Sequence, residues 1–235
     1  MKPVPKRNKN MKKLSLILLA LIALTQTAWA QDVNYIECSW TGSNTGGSVV
    51  QTPQTLANGS YTVLAESVTE LTDGWYVANT GFTYVARRPV INGDVKLVIM
   101  DGVTLHCSKG IQIKDGCTLT IYAQSYGDDM GAINCHGGGS DHAAIGGNDD
   151  EVGGYLVIHG GNIWAHANHN NAAGIGGGNH KSGMRGITIW GGTIDAYGKN
   201  SGTGIGAGQQ NEVATPVTIY GGIITAKSKR SGAGI

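Results

Sequence analysis

The chain has 235 residues, with 17 Lys and Arg, 16 Asp and Glu, and a formal net charge of +1. Six basic and no acidic residues fall in 1–30, so the remainder carries 11 basic and 16 acidic side chains, and a mildly acidic body without a basic stripe offers nucleic acid no footing. All 38 Gly lie in the other 205 residues, about 19% against a usual ~7%; no Gly-X-Y triplet persists and aliphatic residues recur between them, which excludes collagen and argues against disorder.

Lys12 and Lys13 precede an apolar run from Leu14 to Leu24, then Ala28-Trp29-Ala30. This order predicts a signal peptide over residues 1–30, cut before Gln31. The protein is therefore expected to be exported, to the extracellular space, the cell surface or the periplasm. No later stretch is long and apolar enough to predict a transmembrane segment. From Gln31 to Glu70 the chain alternates Ser, Thr, Gly and Asn clusters with short runs such as Tyr61-Thr62-Val63-Leu64. That segment is expected to cap the first coil of the repeats C-terminal to it.

From residue 71 the phasing tightens. Trp75-Tyr76-Val77 and Phe82-Thr83-Tyr84-Val85 read as strands, and Val95, Leu97 and Ile99 alternate with Lys96, Val98 and Met100. The turns Asp101-Gly102 and Asp115-Gly116 bracket the apolar positions Val103, Leu105, Cys107, Ile111 and Ile113. One coil is thus three short strands and three turns. The phrase Ala144-Ile145-Gly146-Gly147 returns with Ile175 and Ile205 in the place of Ile145, thirty residues apart each time, and the chain stops inside a further copy at Gly234-Ile235. Repeats and a C-terminal anchor are expected beyond that point. Coil lengths counted between Ile99, Ile121, Ile158, Ile189 and Ile219 are 22, 37, 31 and 30 residues. A period of this size means stacked units, each burying its apolar face against the next. The predicted fold over 71–235 is all-β, a right-handed parallel β-helix, with Leu105 and Cys107, Ile133 and Cys135, Ile163 and Ala165, Ile194 and Ala196, and Ile224 and Ala226 as one inward column.

The phrases GDVKLVIMDGVTLHCSKGIQIKDGCTLTIYAQ and GIGGGNHKSGMRGITIWGGTIDAYG resemble the Gly-rich β-helical repeats of secreted and surface proteins of gut and other anaerobic bacteria. Those repeats belong to the wider pectate-lyase-like group. The resemblance implies a solenoid used for lyase chemistry, hydrolysis, adhesion or non-catalytic carbohydrate binding, and no catalytic motif of the group is present to carry over.

Stacking places Tyr122, His159, Trp190 and Tyr220 outward at one level per coil, with Trp164 on the adjoining strand and Thr120, Thr188 and Thr218 beside them. Such a ladder of rings suits sugar faces, and it equally suits cross-strand packing. Cys107 and Cys135 fall in neighbouring coils about 4.8 Å apart, which fits either a disulfide or two buried thiols. His136 and His166 stack outward, and with Asp141 or His169 they are candidate ligands for Zn²⁺ or Cu²⁺. Resemblance to the pectate group would imply carboxylates holding Ca²⁺ and a basic residue abstracting a proton; the residues of that type are Asp149, Asp150, Lys181 and Arg185. A solvated salt bridge between loops explains them as well. Asp195 is the acid expected outward on a repeat strand, one short of the carboxylate pair of a glycosidase. The expected function is binding or adhesion to polysaccharide or a glycosylated surface, with a polysaccharide lyase and a structural stalk as the alternatives.

Overall fold

The structure, a computed structural model, describes residues 31–43, 46–84, 87–137, 141–168, 171–180, 183–210 and 213–235. The expected leader, His169 and Lys181 lie outside these residues. Strands β1 (Val33–Thr41) and β2 (Ser48–Leu56) form an antiparallel hairpin. The coils come after it in order. The first holds β3 (Thr62–Val63) and β4 (Glu70–Leu71), and the second β5 (Gly74–Ala78), β6 (Phe82–Tyr84) and β7 (Val90–Ile91). Next come β8 (Asp94–Ile99), β9 (Thr104–Cys107) and β10 (Ile111–Ile113), then β11 (Thr118–Ala123), β12 (Ala132–His136) and β13 (Ile145–Gly146). After these stand β14 (Gly153–Ile158), β15 (Asn162–His166) and β16 (Ile175–Gly176), and then β17 (Met184–Ile189), β18 (Thr193–Gly198) and β19 (Ile205–Gly206). The last coil holds β20 (Val217–Ile219) and β21 (Ile223–Ser228).

Corresponding strands pair in parallel. A seven-stranded sheet runs from β3 to β20, a six-stranded sheet from β6 to β21, and a second six-stranded sheet of shorter strands from β4 to β19. These three walls enclose one core. Its columns follow from strict register: Val95, Leu119, Leu156 and Ile187 form one, and Leu97, Ile121, Ile158 and Ile189 another. The predicted column through Leu105, Ile133, Ile163 and Ile194 is in register and buried throughout. Each such Leu or Ile contributes about 1.5–3 kcal/mol by leaving water, so the stack is held by repetition and not by one dominant contact. In the last coil Ile219 is exposed, since among the described residues no coil comes after to cover it, and Ile223 is exposed at the outward position that Thr193 takes one coil earlier.

Cys107 and Cys135 are directly paired in register, buried, and present as free thiols. Burial pushes the Cys135 thiol well up, so it is a neutral filler of the column. The Arg88 side chain enters beside them. Its guanidinium donates to the carbonyl oxygens of Lys109 at 2.9 Å and Ala143 at 2.8 Å, and burial lowers its pKa to about 10.

The segment expected to cap the first coil divides in two. Parallel pairing already begins at Thr62, where β3 joins the seven-stranded sheet. The hairpin instead lies lengthwise over that sheet, with Val33 and Leu56 packed on Val77, Val98 and Tyr122 near one end and Trp40 against Tyr220 at the other. Seven residues from Val33 to Trp40 reach roughly 23 Å, against roughly 19 Å for the four strand spacings from β8 to β20, so β1 runs along the solenoid axis. Among the described residues no helix is long and apolar enough to cross a membrane.

Candidate functional site

The ladder predicted on the seven-stranded sheet exists as geometry. Tyr122 and His159 stack at 4.6 Å with their planes 5° apart, His159 and Trp190 at 6.2 Å and 8°, and Trp190 and Tyr220 at 4.0 Å and 8°. Parallel strands in register bring this about, because one outward position per coil must repeat at the strand spacing. The expected openness of the ladder is not found over its first half. Tyr122 is 5% exposed and His159 7%, because β1 covers them. Tyr35 of β1 sits 4.9 Å from both Trp75 and Tyr122. The Cys38 backbone N–H donates to His159 Nδ1 at 2.9 Å, and the Cys38 thiol donates to the His159 carbonyl at 3.4 Å. Thr120 is buried too, while Tyr220 keeps 39% of its surface beside Trp40.

On the sheet from β6 to β21 the outward positions are half-buried or exposed. Its outward columns read His106, Asn134, Trp164, Asp195 and Thr225, and beside them His136, His166, Tyr197 and Lys227. Trp164 stacks on His166 at 3.5 Å and leans on His136 at 4.6 Å, and His166 continues to Tyr197 at 5.3 Å. Next to this aromatic strip lies an open groove of about 310 Å³, with Trp164 set among Asn134, Asn162, Thr193 and Asp195. Among the described residues the Asn134 amide oxygen has no hydrogen-bond partner. His166 Nε2 stands 3.2 Å from Asp195 Oδ1 without hydrogen-bond alignment. Burial holds the His166 imidazole below its ordinary value, although Asp195 pulls the other way. His136 and His166, expected as metal ligands, both pack their rings against the Trp164 indole.

The carboxylate loops gather differently from the expected grouping. Asp141 meets Asp149 and His180, whose donor atoms all lie within 4.8 Å of one another. His180 Nδ1 is 2.9 Å from Asp149 Oδ1, and that bond raises the imidazole above its ordinary value. Arg185 is committed elsewhere, with Nε and Nη2 at 2.7 and 2.8 Å from the two oxygens of Asp115, and the pair holds that carboxyl below the usual range. Asp150 is exposed in a left-handed turn at φ 59°.

Sequence reasoning missed His180 as a partner of Asp141, and it missed the cover on the ladder. Signals for the cover were present. Leu97-Val98-Ile99 and Ile121-Tyr122-Ala123 are unbroken apolar runs, as strands buried on both faces require, whereas the later Val157 and Thr188 keep one face half open.

A family model described as a beta helix repeat matches residues 156–179, 187–209 and 217–235. Comparison with curated proteins and with solved structures finds no match in either. The matched residues fall in the last three coils, and the same three walls continue in register back to β4 and β3. From Thr62 onward, the chain is a right-handed parallel β-helix.

Proposed function

We propose that this β-helix is an exported module that binds polysaccharide along the wall from β6 to β21, with Trp164 as the stacking platform. The groove beside Trp164 carries the reading: an indole held rigid between His136 and His166, with amides, a hydroxyl and a carboxylate at its rim. Sugar rings present apolar faces edged by hydroxyls, and a fixed aromatic plane with flanking Asn, Thr and Asp side chains matches both. The seven-stranded wall is a weaker candidate, since β1 already occupies the ladder between Tyr122 and His159. Cleavage of the glycan finds less support. Asp195 is the one acid lining the groove among the described residues, and a glycosidase needs two. The basic lean of a lyase site is also reduced, because Arg185 is tied to Asp115. The signal peptide that the sequence predicts over 1–30 supports action outside the cytoplasm.

The test is affinity electrophoresis of the full chain through gels carrying neutral and acidic polysaccharides, with absorbance monitored for unsaturated products. Trp164→Ala should weaken retardation at least tenfold, about the worth of one stacked ring. Tyr220→Ala, at the end of the covered ladder, should leave it unchanged. Undiminished binding in Trp164→Ala would overturn the assignment to this wall, and release of unsaturated sugar would replace binding by lyase action.

A further inference from the structure

The loops on the far side of the short-stranded wall hold an arrangement that glycan binding does not use. We propose that Asp141, Asp149, Asn179 and His180 form a site for a first-row divalent cation, with Zn²⁺ the best match, which ties two successive coils together.

Asp141 lies between β12 and β13, Asp149 between β13 and β14, and Asn179 and His180 between β16 and β17, one coil further on. The ligand atoms of Asp141, Asp149 and His180 lie within 4.8 Å of one another, the separation that a single ion at ~2.0–2.2 Å from each would span. Acidic groups at a surface often sit close together for no such reason. What sets this one apart is Asn179. Its side chain is 6% exposed, and its amide nitrogen lies 3.4 Å from Asp141 Oδ2 and 3.2 Å from the His180 ring, yet its Oδ1 has no hydrogen-bond partner among the described residues. Asp141 Oδ1 is shielded and, among the described residues, unpartnered as well. The buried Asp141 Oδ1 without a donor is costly, and a cation among these ligands answers it, while Asn179 turns its amide nitrogen toward them. Rotation of the amide by half a turn exchanges its nitrogen and oxygen, which aims Oδ1 at the same centre.

The next coil supplies an internal comparison. Its backbone repeats the same course, for Asn179 N–H donates to the Asp141 carbonyl at 2.9 Å and Gln209 N–H to the Asn171 carbonyl at 2.8 Å. Asp141 and Asn171 both take left-handed φ values, 64° and 51°, while Gln210 takes one at 56° and His180, thirty residues before it, does not. Thirty residues on from Asp141, Asp149, Asn179 and His180 stand Asn171, Asn179, Gln209 and Gln210. The solenoid thus repeats the course of this loop in part, at Asp141 and at the Asn179 N–H, and fits it with carboxylates and an imidazole once. Three oxygens and one imidazole nitrogen favour Zn²⁺ over Ca²⁺, which takes oxygen ligands and more of them.

Titration of the metal-free full chain with ZnCl₂, followed by calorimetry and by the shift in Tm, tests the site. Expected is one saturable Zn²⁺ per chain with a rise in Tm, and no comparable response to CaCl₂. Asp141→Asn and His180→Gln should each weaken Zn²⁺ at least tenfold, while His166→Gln, on the glycan wall, should not. Asp141→Asn keeps the fold within reach because Asn171 already occupies the matching left-handed position in the next coil, and circular dichroism of both variants checks it. Binding that survives both loop variants, or falls with His166→Gln alone, would overturn the site, as would the absence of saturable binding.

Discussion

Gly176→Ala is expected to cost about 4 kcal/mol and to leave little folded protein at 37 °C. Two separate causes add. Gly176 has φ 146°, a region that L side chains rarely adopt, and a Cβ placed there would overlap the Gly206 carbonyl of the following coil. That carbonyl is already the acceptor for Gly177 N–H at 3.0 Å, so the coils cannot part without breaking the ladder at its tightest corner. Gly146 stands in the same relation to Gly176 one level below. The close approach is therefore a property of the column and explains why the phrase returns with glycine each time. Gly116→Asn is the control. Its φ is 75°, but open space surrounds the added Cβ, and Asn tolerates the left-handed region, so a loss below about 1 kcal/mol is expected. Urea midpoints for the two variants measure this. Equal losses would mean that backbone conformation alone, and not contact between coils, keeps glycine at 176.

The solenoid was legible because its information is local and repeated. Period two gives the strand, thirty residues give the coil, and register then places Leu105 above Ile133 and Ile163 with no further assumption. The hairpin was not legible in the same way. It occurs once, so no repeat reports it, and Val33, Tyr35, Cys38 and Trp40 recognise the ladder across long stretches of sequence, 121 residues between Cys38 and His159. The candidate sites fall between these cases. Column arithmetic correctly stacked His136 on His166, but it could not tell that Trp164 would turn its ring against both. The Asp141 cluster depends on how two irregular loops fold over each other. Counting thirty residues from Asp149 leads to Asn179, whereas its hydrogen-bond partner is His180.

Acidification should loosen the hairpin through His159. At neutral pH this imidazole is uncharged. Burial beneath β1 lowers its pKa to about 4, and Nδ1 must stay unprotonated to accept the Cys38 N–H. Tyr122 lies flat on one face of the ring and Trp190 further off on the other. The charged group nearest on β1 is Glu37, whose effect is felt at Cys38 and Tyr122 and not at His159. Unfolded, the same imidazole titrates near ~6.5, so between there and about 4 the unfolded state binds more protons. The stabilisation is complete above ~6.5, declines as the pH falls, and is gone below the folded value. It amounts to about 2 kcal/mol once solvent screening is discounted. His142 and His166 are also held low by burial and act in the same direction, so the wild-type slope alone does not isolate His159. His159→Phe does. It keeps a ring in the stack but leaves the Cys38 N–H without its acceptor, a cost of about 1–3 kcal/mol that does not vary with pH. Urea midpoints at pH 7.5 and 4.5, read by the fluorescence of Trp40, Trp75 and Trp190, should converge for the two proteins at the lower pH. Midpoints that fall in parallel would show that β1 does not close over a neutral His159. Convergence would show that β1 closes over a neutral His159.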